Sequence, residues 1–151
     1  MEVPSIDFVA YKPDGSVVLL AEAKSRRGTS EAWAAKLRRN MMSHGVLPES
    51  EFFLIATPDR IYGWKQQNLP ASEVPPQFQV DAEKALRPYL GSLEKTHEGI
   101  SPSAFELVVL KWLTDISEAR QEELECDSSL DPLVSSGLIS SLNDARIEPS
   151  S

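Results

Sequence analysis

One stretch near the start of the chain, residues 6–24, constrains the fold more than any other. It combines a β-branched and aromatic run (6–11), a Pro-Asp-Gly turn (13–15) and a strongly apolar run (17–24) that closes with two charges. The first run favours a strand and the Pro-Asp-Gly sequence favours a tight turn, so we predict a β-hairpin. Because the second run is apolar on both alternating faces, we expect a central strand covered on both sides.

Glu22 and Lys24 close the predicted central strand and fall on the same face, because side chains alternate along a strand. The alternation predicts one face that ends in these two charges and a second face that is entirely apolar. The first face is predicted to contain Val18, Leu20, Glu22 and Lys24, and the second Val17, Leu19, Ala21 and Ala23. An acid and an amine therefore project together at the strand end, either as a surface ion pair or as part of a functional site.

The next segments continue an α/β pattern. A helix is predicted over residues 30–44, with Thr29 or Ser30 as its cap and Gly45 at its end. The apolar run 52–56 predicts a buried strand, and 61–65 predicts a strand that returns beside it. The first 65 residues thus indicate hairpin, helix and hairpin, which is typical of a sheet flanked by helices.

Prolines divide the chain after this region. They predict three parts: an α/β core over 1–66, a Pro-rich linker over 67–79 and a helical C-terminal part over 80–151 that packs on the core. We predict a helix over 81–90 that Pro88 kinks or shortens. Residues 128–151 are weakly patterned, with a short helix near 130–134 and a loose end.

A further helix is predicted to begin at Ser101-Pro102, where Ser103 and Glu106 have the spacing of a capping box. Its apolar positions recur at helical spacing. They are Phe105, Val108, Val109, Trp112, Leu113 and Ile116. This stripe needs a partner surface, which is either the sheet or a second subunit in a homodimer, and we favour the sheet.

Composition narrows the functional classes. The chain has 151 residues, a net charge of -8 and one cysteine, which argues against a general nucleic-acid coat protein and a disulfide framework. With no long apolar run, we expect no membrane span and a cytoplasmic location. A local basic cluster nevertheless follows the Glu22/Lys24 strand. Its members are Arg26, Arg27, Lys36, Arg38 and Arg39, all candidates for phosphate contacts.

Asp7, Glu22 and Lys24 are the residues whose chemistry stands out. Two carboxylates near the ends of neighbouring strands can hold a hard divalent cation, which polarises a phosphoryl oxygen and activates water. A lysine beside them places positive charge where a transition state accumulates negative charge. Phosphodiester hydrolysis requires this combination.

In these residues the sequence resembles the PD-(D/E)XK nuclease superfamily. The likeness is nearest to the N-terminal nuclease domain of type I restriction enzyme motor subunits and to archaeal Holliday-junction resolvases. It comprises the Ile6-Asp7-Phe8-Val9 run, the Asp14-Gly15 turn, Glu22-Ala23-Lys24, the following helix and the 53–57 strand. These features fall in the family's order over residues 5–65.

The resemblance implies a restriction-endonuclease-like mixed sheet flanked by helices. It implies a Mg²⁺ or Mn²⁺ site formed by Asp7, Glu22 and the carbonyl of Ala23, with Lys24 positioning the water or stabilising charge. The expected substrate is DNA, with RNA as the second choice. The family often places an acid-bearing helix before its first strand. Here five residues precede Ile6, so that helix is missing or a later helix replaces it, and the family's glutamine after the lysine is absent.

The register of the hairpin provides a physical test. A three-residue loop over 13–15 pairs Lys12 with Ser16 and sets Asp7 opposite Ala21, on the face away from Glu22. A four-residue loop or a β-bulge sets Asp7 opposite Glu22. The nuclease hypothesis therefore requires the longer loop or a bulge.

Two functions from different classes remain at this stage. The first is a metal-dependent nuclease, and the second is a nuclease-derived binding or interaction module that no longer cleaves. The acidic total and the missing first helix favour the second. The three tryptophans, Trp33, Trp64 and Trp112, are interpreted as core residues and not as base-stacking surfaces.

Overall fold

A computed structural model describes residues 6–44, 47–90 and 99–150, and these residues form an α/β structure around one six-stranded mixed sheet. The strands lie in the order β5-β4-β3-β2-β1-β6. Strands β2 and β3 are parallel, and the other neighbouring pairs are antiparallel. Their bounds are β1 Phe8–Tyr11, β2 Val17–Ala23, β3 Phe52–Ala56, β4 Arg60–Lys65, β5 Phe78–Asp81 and β6 Arg146–Pro149.

Helices connect the strands and cover the sheet. They are α1 Glu31–His44, α2 Ala82–Ala85, α3 Arg87–Leu90, α4 Pro102–Glu118, α5 Gln121–Glu125, α6 Asp131–Ser135 and α7 Leu138–Leu142, with a 3-10 turn at Ser128–Leu130. Across the ranges that the structure describes, no helix has both the length and the apolar character needed to cross a membrane.

The hairpin of β1 and β2 contains a β-bulge in β2. Tyr11 pairs with Val17, whereas the preceding residue, Ala10, pairs with Leu19, so Val18 is the extra residue. Near the turn the register is that of the three-residue loop, because the N–H of Lys12 donates to the carbonyl of Ser16. Beyond the bulge the register is shifted by one residue.

The bulge also corrects the predicted division of β2 into two faces. Val17 packs with Leu20, and Val18 packs with Leu19, which is the reverse of the simple alternation. An extra residue inverts the facing of every residue before it relative to those after it. From Leu19 onward the predicted alternation holds.

Each face of the sheet has its own core. The α1 face, represented by Val9, Leu20, Phe53, Ile55 and Trp64, is covered by buried positions of α1. The α4 face is covered by the apolar stripe of α4 and by the shorter helices. The stripe therefore packs on the sheet as predicted, and the alternative of a dimer through that stripe would require exposing it.

The start of α4 differs from the prediction. Ser101 is the N-cap, since its Oγ accepts from the N–H of Ala104 at 3.2 Å, and Pro102 occupies the first turn. Proline suits this position because its missing N–H has no partner in the helix there. The predicted capping box of Ser103 and Glu106 is therefore wrong, and the Glu106 side chain is not used to cap the helix.

The predicted helix over 81–90 is two short helices. Asp81 caps α2 by accepting from the N–H groups of Glu83 and Lys84, and α2 ends at Ala85, with Leu86 as its C-cap. Pro88 lies in the first turn of α3, where a proline is tolerated. By contrast, α1 has nearly its predicted bounds, with Ser30 Oγ accepting from Trp33, although its predicted end at Gly45 lies outside the described residues.

The C-terminal region is not purely helical, and residues 146–149, predicted to be loose, form a strand. Strand β5 extends one edge of the sheet, and β6 extends the other by pairing with β1. The short sequence Arg146–Pro149 has no strong strand pattern, and its pairing is available only once β1 is in place. Residues on both sides of the Pro-rich segment thus share one sheet.

Candidate active site

The structure brings Asp7, Glu22 and Lys24 together at one end of the sheet. Asp7 immediately precedes β1, Glu22 lies at the end of β2 and Lys24 follows it. The shifted register pairs Phe8 with Ala21 in antiparallel strands. Asp7, one residue before Phe8, therefore lies beside Glu22, one residue after Ala21. The bulge thus produces the arrangement that the nuclease hypothesis requires.

Hydrogen bonds hold the two acids in this relation. The N–H of Asp7 donates to Glu22 Oε1 at 3.0 Å, and the N–H of Ala23 donates to Asp7 Oδ2 at 2.9 Å. Lys24 Nζ lies 3.2 Å from Glu22 Oε2. Each carboxylate therefore accepts a hydrogen bond from the backbone of the other segment, and the Lys24 amine contacts the buried Glu22 carboxylate directly.

The C-terminal strand also holds Asp7. Ser150 follows β6, and its N–H donates to the carbonyl of Asp7 at 2.9 Å. The backbone of Asp7 is thereby bonded on one side to Glu22 and on the other to Ser150. The weak pattern of residues 128–151 does not predict this contact.

Glu22 has an unusual electrostatic environment. The residue is 5% exposed, and burial together with the neighbouring Asp7 raises the pKa of its carboxyl from 4.5 to about 7. The contact with Lys24 acts in the opposite direction but does not cancel this rise. A site of two adjacent acids, one of them desolvated, favours either a shared proton or an added cation.

The donor set fits a hard divalent cation. Asp7 and Glu22 present carboxylate oxygens at neighbouring positions, and magnesium and manganese prefer oxygen ligands with several waters retained. Among the described residues, no three His, Cys, Asp or Glu side chains are grouped tightly enough to form a metal cage by themselves. A divalent cation here would have the two carboxylates as its side-chain ligands, and main-chain oxygen and water would have to supply the others.

A cleft of about 490 Å³ opens beside these residues. It is lined by Asp7, Ala23 and Lys24 together with residues from the first turns of α1 and α4. A larger cleft of about 660 Å³ lies near the start of β2, at the opposite end of that strand. We associate the candidate site with the smaller cleft because Asp7 and Lys24, the two residues that contact Glu22, both line it.

Glu106 lines the same cleft. It lies in the first turns of α4, one residue after Phe105, which is fully buried against the sheet. Sequence reasoning assigned Glu106 to a capping box and missed this position. The signal available was Ser101-Pro102, which is a stronger cap and leaves Glu106 unassigned.

The five predicted phosphate contacts occupy different environments. Arg26 is exposed and lines the cleft, with its guanidinium 5.7 Å from the ring centre of Trp33. Lys36 is exposed on α1. Arg39 is also exposed, but it lies 4.0 Å from Glu73 and bonds Asn40.

Arg27 and Arg38 have structural partners. Arg27 Nη1 lies 2.9 Å from Asp59, which also accepts from the N–H of Gly28 and so fixes the loop after β2. Arg38 is 1% exposed and donates to Gln66 and to carbonyls of the Pro-rich segment at residues 70 and 72. A phosphate cannot reach Arg38 without opening the core, so we remove Arg38 from the interface.

No protein-family model, no curated protein and no solved structure matches this chain. What the protein does must therefore be inferred from the geometry and chemistry of this cleft.

Proposed function

We propose that this chain is a metal-dependent nuclease of the PD-(D/E)XK type that hydrolyses phosphodiester bonds of DNA. The observation that carries the proposal is the bulge between β1 and β2. It sets Asp7 beside a buried Glu22 at the mouth of a cleft, with the Lys24 amine 3.2 Å from Glu22. A surface ion pair would explain Glu22 and Lys24, but it would not explain a second acid bonded to the same strand.

In this proposal Asp7, Glu22 and the carbonyl of Ala23 hold Mg²⁺ or Mn²⁺. When bound, such an ion polarises a phosphoryl oxygen and lowers the pKa of a bound water. The hydrogen bonds from Ala23 to Asp7 and from Asp7 to Glu22 fix the carboxylates before the substrate arrives. This arrangement reduces the reorganisation needed during the reaction.

Lys24 and Glu106 complete the proposed site from two sides. The Lys24 amine places positive charge where the pentavalent phosphorus centre accumulates negative charge. Glu106 faces the cleft from α4, where its carboxylate can accept a hydrogen bond from the attacking water. An acid on α4 also corresponds to the later helix that we considered as a replacement for the family's first helix.

The arrangement of elements supports a restriction-endonuclease-like core. The strands β6, β1, β2 and β3 are neighbours, α4 covers one face and α1 covers the other. The helix that the resemblance expects before β1 has its counterpart, in this proposal, in α4, which comes later in the chain. A cytoplasmic location stays a prediction from the sequence.

The test is cleavage of plasmid and single-stranded DNA with Mg²⁺ or Mn²⁺. We expect the parent to cleave and Glu22→Gln and Lys24→Met each to lose about 10²-fold or more in rate, since each removes a group that contacts the reacting centre. Glu51→Gln and Lys12→Met are matched controls, because this exposed 2.8 Å ion pair lies at the other end of the sheet. Equal rates in all five proteins would contradict the proposal.

A binding module that does not cleave is the second candidate. The observation that favours it is the Lys24–Glu22 contact, because an internal cation already compensates the buried acid. This candidate predicts no cleavage by the parent and no stabilisation by Mn²⁺. Metal-dependent cleavage by the parent would exclude this candidate. A metal-induced rise in melting temperature that is absent in Glu22→Gln would also exclude it.

A further inference from the structure

Trp33 differs from the other two tryptophans of the chain. Trp64 is 0% exposed and Trp112 is 3% exposed, so both are core residues as predicted. Trp33 is partly exposed and lines the cleft that contains Asp7 and Lys24. Trp33 packs against the core of the α1 face, but unlike the other two tryptophans it also lines the cleft, and core packing does not explain that second position.

The ring of Trp33 is held in place by its surroundings. Its backbone N–H donates to Ser30 Oγ at 3.1 Å, which fixes the first turn of α1. Its ring packs against Tyr62 with centroids 6.4 Å apart, and the Tyr62 hydroxyl bonds Thr29 at 2.8 Å. Trp33 is therefore a preorganised wall of the cleft.

Cations flank this ring. Arg26 lies 5.7 Å from the ring centre, and Lys24 lines the same cleft. An aromatic face with cations beside it matches a nucleotide, because the base stacks on the ring and the phosphates contact the cations. The exposed Arg26 side chain can exchange its position on the ring for a contact with a flanking phosphate.

We infer that Trp33 stacks an unpaired base next to the scissile phosphate, so that the substrate is single-stranded DNA or a single-stranded end. The inference rests on the proposed nuclease function. A base within a duplex has both faces covered by its neighbours, so stacking on Trp33 requires a base that is unstacked. The cleft of about 490 Å³ is also a local site, not a track along a duplex.

The charge distribution supports a short footprint. The chain has a net charge of -8, and Arg27 and Arg38 are bound to Asp59 and Gln66. Lys24 and Arg26 line the cleft, and Lys36 is exposed on α1. Two to three phosphate contacts on a single strand correspond to a log–log salt slope of roughly -1.4 to -2.1. A protein following a duplex would need a steeper slope.

The first test measures binding without cleavage, with chelator present. The probe is a labelled oligodeoxythymidine of about 12 nucleotides, within the site sizes of known single-strand binders, compared with a duplex of equal length. We expect the parent to prefer the single strand by about tenfold or more, and Trp33→Leu to lose about 5- to 150-fold in affinity while Trp33→Phe retains most of it. Equal affinity for duplex and single strand would overturn the inference.

Tyr11→Leu is the matched control. Arg146 lies 5.2 Å from the ring centre of Tyr11, so this pair reproduces the cation-on-ring geometry away from the cleft. We expect no loss of affinity in Tyr11→Leu. A loss equal to that of Trp33→Leu would show that aromatic packing, and not base stacking, accounts for the effect.

Intrinsic fluorescence gives a second readout that does not depend on a destabilising substitution. In the parent, base stacking should quench the partly exposed Trp33, and the quench should disappear in Trp33→Phe because Trp64 and Trp112 are buried. Quenching that persists in Trp33→Phe would overturn the inference. If base stacking is not found, the cleavage test with the parent and Glu22→Gln still stands on its own. The two proposals can therefore fail separately.

Discussion

At the scale of single residues, Glu22 is the most informative position. It is buried, bonded to the N–H of Asp7 and contacted by Lys24, and its pKa is raised to about 7. The sequence indicates that an acid lies at a strand end, but its burial depends on β1 and on the helices around it. The sequence therefore identifies Glu22 as a candidate site residue, whereas its raised pKa depends on the folded structure.

The raised pKa of Glu22 predicts a pH-dependent stability. A folded-state pKa above the ordinary 4.5 means that the folded chain binds the proton more tightly. Its stabilising contribution is fully present below about pH 4.5 and is lost as pH rises through about 7. In the metal-free protein, we expect the melting temperature of the parent relative to Glu22→Gln to fall between pH 5 and pH 8.

Thermal melting at several pH values in chelator measures this difference. A chain of this size changes its melting temperature by about 2–4 °C for each kcal/mol of stability. Other titrating groups cancel because both proteins contain them. Parallel curves for the parent and Glu22→Gln would show that Glu22 does not titrate in this range.

At the scale of secondary structure, β6 helps to hold Asp7, a role that the sequence of residues 146–149 does not predict. It pairs with β1, and Ser150 beyond it donates to the carbonyl of Asp7. We expect Ser150→Pro, which removes this N–H, to lower stability by about 1–2 kcal/mol and to weaken Mn²⁺ binding by releasing Asp7. Ser150→Ala keeps the N–H and is the control.

Melting with and without Mn²⁺ separates the two effects of Ser150→Pro. A reduced metal-induced rise in melting temperature would show that β6 positions Asp7. If the rise is the same in Ser150→Pro, Ser150→Ala and the parent, the strand contributes stability only.

Helix positions show the same division between local and tertiary information. The bounds of α1 follow from its cap and its periodicity, and the α4 stripe predicts correctly which side faces the sheet. Arg38 appears on α1 as one of several basic residues, yet it is buried by contacts with Gln66 and with carbonyls of the Pro-rich segment. Those partners lie 28 or more residues away in sequence, so no local pattern reveals them.

At the scale of the whole molecule, metal binding should couple to folding. A ligand that binds only the folded chain stabilises it, by about 2.7 kcal/mol when present at 100 times its dissociation constant. For this chain that corresponds to a rise of roughly 5–10 °C in melting temperature. We expect Mn²⁺ to produce such a rise in the parent and in Glu51→Gln, and no rise in Glu22→Gln.

Ca²⁺ and Na⁺ at matched ionic strength distinguish a specific site from general screening. A rise that survives in Glu22→Gln would place the ion elsewhere and would remove the central support for the nuclease proposal. A rise confined to proteins with Glu22 would support it independently of any substrate.

Local elements can be predicted from the amino-acid sequence alone: the 6–24 hairpin, the helix after it, the buried strand β3 and the presence of Asp7, Glu22 and Lys24 near strand ends. These follow from propensity, turn chemistry and periodicity, which act over a few residues. The bulge at Val18, the position of β6 beside β1 and the presence of Glu106 and Trp33 in one cleft are visible only in the folded chain. The physical reason is that register and cleft composition depend on packing between segments distant in sequence, where a shift of one residue moves a side chain to the opposite face.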